Sequence, residues 1–222
     1  MKRLLFVAIV LFTLCGCEKK IIRYVEPKDS PYITEYYLPT KVEIARDCGY
    51  LNLKFTGEVC RTWGTTEERE KSKAIGKLYG DSTSHIWDPG MHPALAHPID
   101  KITISCDQDF DSRHPAGEPL DDLVNLDFAT YYHFIKGGYN PFTVDYTKWL
   151  YNDLVRYTLC FNCVNADITH LTCVGRNMNY EGARSPNIQF KTSPDVPGEY
   201  TFNLAVTING ETLTTTFTQT FE

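Results

Sequence analysis

The strongest pattern in the chain lies at its C-terminal end. Tyr200, Phe202, Leu204, Val206 and Ile208 alternate with Thr201, Asn203, Ala205 and Thr207, the period of a strand with one buried face. Asn209-Gly210 follows, and both residues tolerate positive φ, so the pair predicts a two-residue hairpin turn. The returning arm puts Leu213, Thr215, Phe217, Gln219 and Phe221 on one face. Thr212, Thr214, Thr216, Thr218 and Thr220 fill the other, a threonine ladder expected to face water.

Shorter segments repeat the theme. Val42 and Ile44 alternate within Lys41 to Arg46, and Leu51, Leu53 and Phe55 alternate with Asn52 and Lys54. Asp47-Cys48-Gly49 supplies a turn between them. Ile102 to Cys106 resumes the strand pattern, and Val155, Tyr157, Leu159 and Phe161 continue it opposite Arg156, Thr158, Cys160 and Asn162. Two stretches depart. Thr65 with Glu68 forms a capping box ahead of a short polar helix over Glu67 to Lys77. Tyr146, Trp149, Leu150 and Leu154 have helical spacing behind a capping Asp145. Gly80 to Pro98, rich in Gly, Pro, Ser and His, predicts a long surface excursion.

Together these segments predict a mainly β chain. The architecture expected is an immunoglobulin-like antiparallel β-sandwich over residues 41–222, carrying a loop and short-helix insertion at about 61–98. The 14 Tyr and 12 Phe suit sheets better than helical bundles.

The N-terminus carries an address. Lys2 and Arg3 precede an apolar run from Leu4 to Leu14, too short for the roughly 20 residues that span a bilayer. Leu14-Cys15-Gly16-Cys17 then resembles the bacterial lipobox. The expectation is a signal peptide over 1–16, cleavage after Gly16 and acyl chains on Cys17, which hold the protein to a lipid membrane. Residues 17–40, with Pro27, Pro31 and Pro39, form a tether, although Tyr32 to Leu38 also fits a first strand. Glu18-Lys19-Lys20 differs from the acidic tag of surface lipoproteins, which favours an outer-membrane protein facing the periplasm.

Charge narrows the partners. Removing Lys2 and Arg3 with the signal leaves 20 Lys+Arg against 28 Asp+Glu, a net charge of −8. No basic run follows Lys19-Lys20, so nucleic acid is excluded as a partner.

Candidate chemistry centres on the cysteines. Cys48, Cys60, Cys106, Cys160, Cys163 and Cys173 remain after Cys17, an even number that suits disulfides in an exported protein. Cys48 with Cys60, and Cys160 or Cys163 with Cys173, would clip neighbouring strands; buried free thiols are the alternative. Cys160-Phe161-Asn162-Cys163 has redox-motif spacing but lies at a strand end. With His170 and Cys173 the same pair makes a Cys₃His zinc set. Asp107, Asp109, Asp111 and Glu118 occupy positions one, three, five and twelve of a calcium loop, though Ser112 stands where that loop needs glycine. His85, His92 and His97 gather near Asp88 and Asp100, and Trp63, Trp87 and Trp149 offer rings for sugar stacking. No phosphate loop, paired-His protease motif or Gly-x-Ser-x-Gly elbow occurs, so no catalytic residue and no cofactor is predicted.

Two parts of the chain carry a resemblance. Asp109-Phe110-Asp111, His114-Pro115-Ala116-Gly117 and Leu120-Asp121-Asp122-Leu123 form the first. Pro197-Gly198-Glu199-Tyr200-Thr201-Phe202 with Asn209-Gly210 forms the second. Over roughly residues 100–125 and 185–222 the chain resembles a Bacteroidetes family of cell-envelope lipoproteins with no assigned activity. The resemblance implies an immunoglobulin-like envelope domain and brings no catalytic residues. Function is therefore expected to be non-enzymatic, either structural or the binding of a protein or glycan. A glycan-directed hydrolase of the envelope is the alternative.

Overall fold

The computed structural model describes residues 31–47, 49–82, 91–139, 149–151, 154–175 and 185–222. The period-two segments become strands β1 (Glu35–Asp47), β2 (Tyr50–Arg61), β4 (Ile99–Cys106), β7 (Leu154–Cys160), β9 (Gly198–Ile208) and β10 (Glu211–Phe221). Four more strands join them: β3 (Pro93–Leu95), β5 (Val124–Thr130), β6 (Trp149–Tyr151) and β8 (Asn187–Phe190). Helices α1 (Thr66–Tyr79) and α2 (Tyr132–Lys136) complete the set. A seven-stranded sheet runs β3-β1-β2-β8-β5-β7-β6, and a three-stranded sheet runs β10-β9-β4. Every pairing is antiparallel except β1 with β3.

The two sheets pack face to face as a sandwich around one apolar core. Tyr200, Phe202, Leu204, Val206 and Ile208 of β9 meet Leu51, Leu53 and Phe55 of β2 and Val124, Leu126 and Phe128 of β5. Each such buried side chain contributes roughly 1.5–3 kcal/mol. Phe110 fills the end of this core edge-on to Phe202 and Phe221. The Asn209-Gly210 turn has φ of 51° and 78°, and Ile208 pairs with Glu211 to close it. The even threonines of β10 are exposed while the odd positions are half-buried, as the alternation predicts.

A second cluster forms beside α1, and the carboxylate of Asp81 anchors it. Oδ1 accepts from the Tyr32 amide at 2.6 Å and the Tyr139 hydroxyl at 2.9 Å. Oδ2 accepts from the Ile33 amide at 2.9 Å and the Tyr36 hydroxyl at 2.8 Å. Burial pushes the Asp81 carboxyl above the ordinary Asp range, against the pull of these four donors. Burial and the neighbouring Asp81 push the Tyr36 phenol up, so it remains a donor. The helix reaches this site because Thr65 and Glu68 form the predicted capping box, and because Ser72, Ile75, Gly76 and Tyr79 bury one face. Gly76 matters for its missing side chain: a Cβ there would lie 2.5 Å from the Asp81 carbonyl oxygen and 3.0 Å from the Tyr36 hydroxyl.

Three expectations are corrected. The tether does not extend to residue 40, because Tyr32, Ile33 and Tyr36 are buried and β1 begins at Glu35. The segment to Pro98 is not wholly a surface excursion. His92 stacks on Tyr32 with ring centroids 4.2 Å apart, and Pro93–Leu95 pairs in parallel with Glu35–Tyr37. Helical spacing misled around Trp149, which lies on β6 beside β7; Asp145 and Tyr146 fall outside the described residues.

Substitutions at the Asp81 anchor test this packing. Helix propensity alone has Gly76→Ala stabilise by about 1 kcal/mol, whereas the close contacts make it a net loss of about 1 kcal/mol or more. Asp81→Asn leaves two of the four donors facing an amide nitrogen and costs about 2–5 kcal/mol, against about 1 kcal/mol for Tyr139→Phe. Urea denaturation measures all three, and a stabilised Gly76→Ala protein would contradict the packing described.

Candidate functional site

The outer face of the three-stranded sheet forms the floor of an open groove of about 650 Å³. Strand register builds that floor in two rows. Thr103, Ala205 and Thr214 lie side by side in one, and Ser105, Asn203 and Thr216 in the next. Ala205 is the small residue between two threonines, and it makes the depression. The neighbouring row continues the hydroxyl pattern, with Thr207 and Thr212 Oγ1 atoms 3.0 Å apart. Gly117 and Pro119 supply a wall. Every side chain lining the groove is neutral.

The wall stands because its loop is tied to β4. Pro119 bridges Ser105, the Leu120 amide donates to the Ile104 carbonyl at 2.8 Å, and the Gly117 amide donates to the Cys106 carbonyl at 2.8 Å. Carboxylates hold the rest. Asp121 accepts the Ile104 amide at 2.9 Å, Asp109 the Ala116 amide at 2.8 Å, and Asp107 the Thr201 amide at 3.0 Å. Asp111 accepts the Arg113 and His114 amides at 2.8 and 3.0 Å, and its oxygen lies 2.8 Å from His114 Nδ1.

The calcium expectation is thereby corrected. Asp109 and Asp111 spend their oxygens on backbone donors of the loop and Asp107 on the Thr201 amide of β9, and with Glu118 they do not gather around a common point. The zinc set of Cys160, Cys163, His170 and Cys173 fails likewise. Among the described residues no three His, Cys, Asp or Glu side chains converge as a metal site.

The cysteines are dispersed. Cys60, Cys106, Cys160 and Cys163 are free thiols, Cys173 lies buried beside Tyr131, and Cys48 lies outside the described residues. The expected bridge from Cys160 or Cys163 to Cys173 is not formed. Cys173 is buried 3.5 Å from the Tyr131 hydroxyl, whereas Cys163 is exposed and Cys160 sits against Lys191 Nζ. The Cys160–Cys163 spacing leads into a single 3-10 turn at Phe161–Cys163, so it lacks the helix start a thioredoxin-like pair uses.

The remaining candidates do not meet. His92 belongs to the second cluster, and burial lowers the pKa of half-buried His97 against the pull of Asp100; His85 and Asp88 lie outside the described residues. Trp63 is exposed with Arg61 across its ring, Trp149 falls on β6, and Trp87 is outside the described residues. Cys17 and the signal segment are outside them too.

One further polar concentration lies on β5, β7 and β8. Asp127, only 2 % exposed, is held by Arg156, whose Nε lies 2.6 Å from Oδ1. Thr158 at 3.1 Å and Asn187 at 3.2 Å donate to the same carboxylate. It is a satisfied ion pair, with its oxygens already engaged.

Fold and groove define a two-sheet β protein with a neutral, hydroxyl-lined face. No family model, curated protein or solved structure matches the chain.

Acid tests the wall. Burial raises the Asp111 carboxyl, but the hydrogen bonds from His114 and the Arg113 amide outweigh it and hold the pKa below the ordinary range. A depressed carboxylate pKa supports the fold above the unfolded value of about 3.9 and loses that support as pH falls through the folded value. Hydrogen-exchange protection factors at the Arg113 and His114 amides, which Asp111 accepts, are therefore expected to be high at neutral pH and to fall below about pH 4. Absence of protection at these two amides already at neutral pH would contradict the tied wall.

Proposed function

We propose that this chain is an exported envelope lipoprotein, anchored through acylated Cys17, whose sandwich binds a neutral glycan in the groove over Ala205. The observation that carries the ligand class is the lining. Threonine and serine hydroxyls and the Asn203 amide offer donors and acceptors to sugar hydroxyls, and the methyls of Ala205 and the threonines offer apolar contact to sugar C–H faces. With the signal removed, the chain's net charge of −8 repels anionic glycans, which makes a neutral one the better fit. Hydrolysis gains no support from this face. A glycosidase needs two carboxyl groups flanking the bond, and among the described residues none lines the groove.

Binding is tested with a panel of neutral oligosaccharides of hexose and N-acetylhexosamine units, read by calorimetry. Ala205→Trp fills the depression from the solvent side and is expected to weaken binding at least tenfold, about 1.4 kcal/mol, without unfolding the sandwich. Absence of binding across the panel, or binding indifferent to Ala205→Trp, would overturn the proposal. The anchor is tested separately by metabolic labelling with a fatty-acid analogue: the label is expected on the native chain and lost in Cys17→Ala.

A further inference from the structure

The two edges of the three-stranded sheet differ. The β4 edge is closed by the Gly117–Asp121 loop, which takes up the outward N–H and C=O of Ile104. The β10 edge is approached by β1, whose Arg46 bonds Thr218 and Gln219, but among the described residues no backbone group takes up the outward N–H and C=O of Thr212, Thr214 and Thr216. Which of its groups face outward follows from register. A two-residue turn makes Ile208 and Glu211 a hydrogen-bonded pair, so odd-numbered residues of β10 address β9 and even-numbered ones point away. Arg46 agrees, because its guanidinium donates to the outward Thr218 carbonyl. The outward N–H and C=O groups of Thr212, Thr214 and Thr216 thus form an open strand edge.

Natural edge strands are shielded by charge, proline or a bulge. β10 has none of these: no charged residue or proline occurs from Thr212 to Phe221, and its register with β9 runs without a shift. We infer that β10 pairs with β10 of a second copy of this chain, antiparallel about a two-fold axis at Thr214. Self-pairing is favoured over another strand because every outward-facing residue between Glu211 and Phe221 is threonine. A two-fold axis therefore sets threonine opposite threonine, a stabilising cross-strand pair that this sheet already uses at Thr207 and Thr212. The neutral edge also lets two acidic chains meet without opposed like charges. The register follows from Arg46. Its hold on Thr218 leaves Thr212, Thr214 and Thr216 free, and an axis at Thr214 uses those three, with Thr212 of each copy facing Thr216 of the other.

Pairing joins two three-stranded sheets into one and extends the threonine floor across both copies. Because Thr214 and Thr216 line the groove, the second copy completes its open side. The dimer itself is independent of what the groove binds.

Sedimentation velocity on the purified full chain tests this, alongside Thr214→Lys and Thr214→Pro. Lysine on the axis faces its own copy, and proline removes the outward donor. The native chain is expected to sediment as a dimer that dissociates on dilution. Both variants are expected as monomers of half that mass, with Thr214→Lys keeping the native circular dichroism and showing a Tm that no longer depends on concentration. If Thr214→Pro fails to fold, Thr214→Lys decides alone. A native monomer at every concentration, a dimer surviving Thr214→Lys, or open-ended aggregates in place of a dimer would each overturn the inference.

Discussion

The strict period-two register of β9 is the constraint on which both faces of the protein depend. Its even positions from Tyr200 to Ile208 enter the core between the sheets, so its odd positions must point to solvent. Ala205 and Asn203 lie in the groove for that reason alone. A one-residue slip would bury the groove lining and expose the aromatic row, and the loss of several fully buried side chains forbids it. The Asn209-Gly210 turn carries the register into β10, and pairing with β4 carries it the other way. The groove is thus a consequence of packing on the opposite side of the same strand.

A second constraint holds the larger sheet's other cluster. Asp81 gathers two backbone amides and two phenols that no shared helix or strand would otherwise bring together. The segment entering β1 is ordered through it, and α1 closes against the same point because Gly76 has no side chain. The tie to β4 plays a similar part at the groove. There, carboxylates with calcium-loop spacing serve as acceptors for backbone amides of the loop and of β9, a use that linear spacing does not distinguish from metal binding.

Much of the fold was legible where one strand face is buried and the other wet, as in β1, β2, β4, β7 and the β9–β10 hairpin. The α1 capping box was equally plain in Thr65 and Glu68. The strands that escaped notice lack that contrast. β5 is buried on nearly every residue yet includes Asp127, which pairs with Arg156 from another strand. β3 has only three residues, the first of them Pro93, and exists because β1 lies beside it. The groove was half legible. The threonine ladder announced an exposed hydroxyl face, but Thr103, Ser105 and Asn203 join it only through register, and Pro119 only through the loop tied to β4. Ala205, the one small apolar residue among the polar positions of β9, was the available signal.

Amide chemical-shift mapping is the most direct measure of the central claim. The chain is titrated with the tightest-binding neutral oligosaccharide, and the perturbed amides are located. The account predicts shifts concentrated at Thr103, Ser105, Asn203, Ala205, Thr214 and Thr216, with the Asp81 cluster and the β5–β7 face silent. Perturbations centred on Asp127 and Arg156, or spread without regard to the three-stranded sheet, would contradict it.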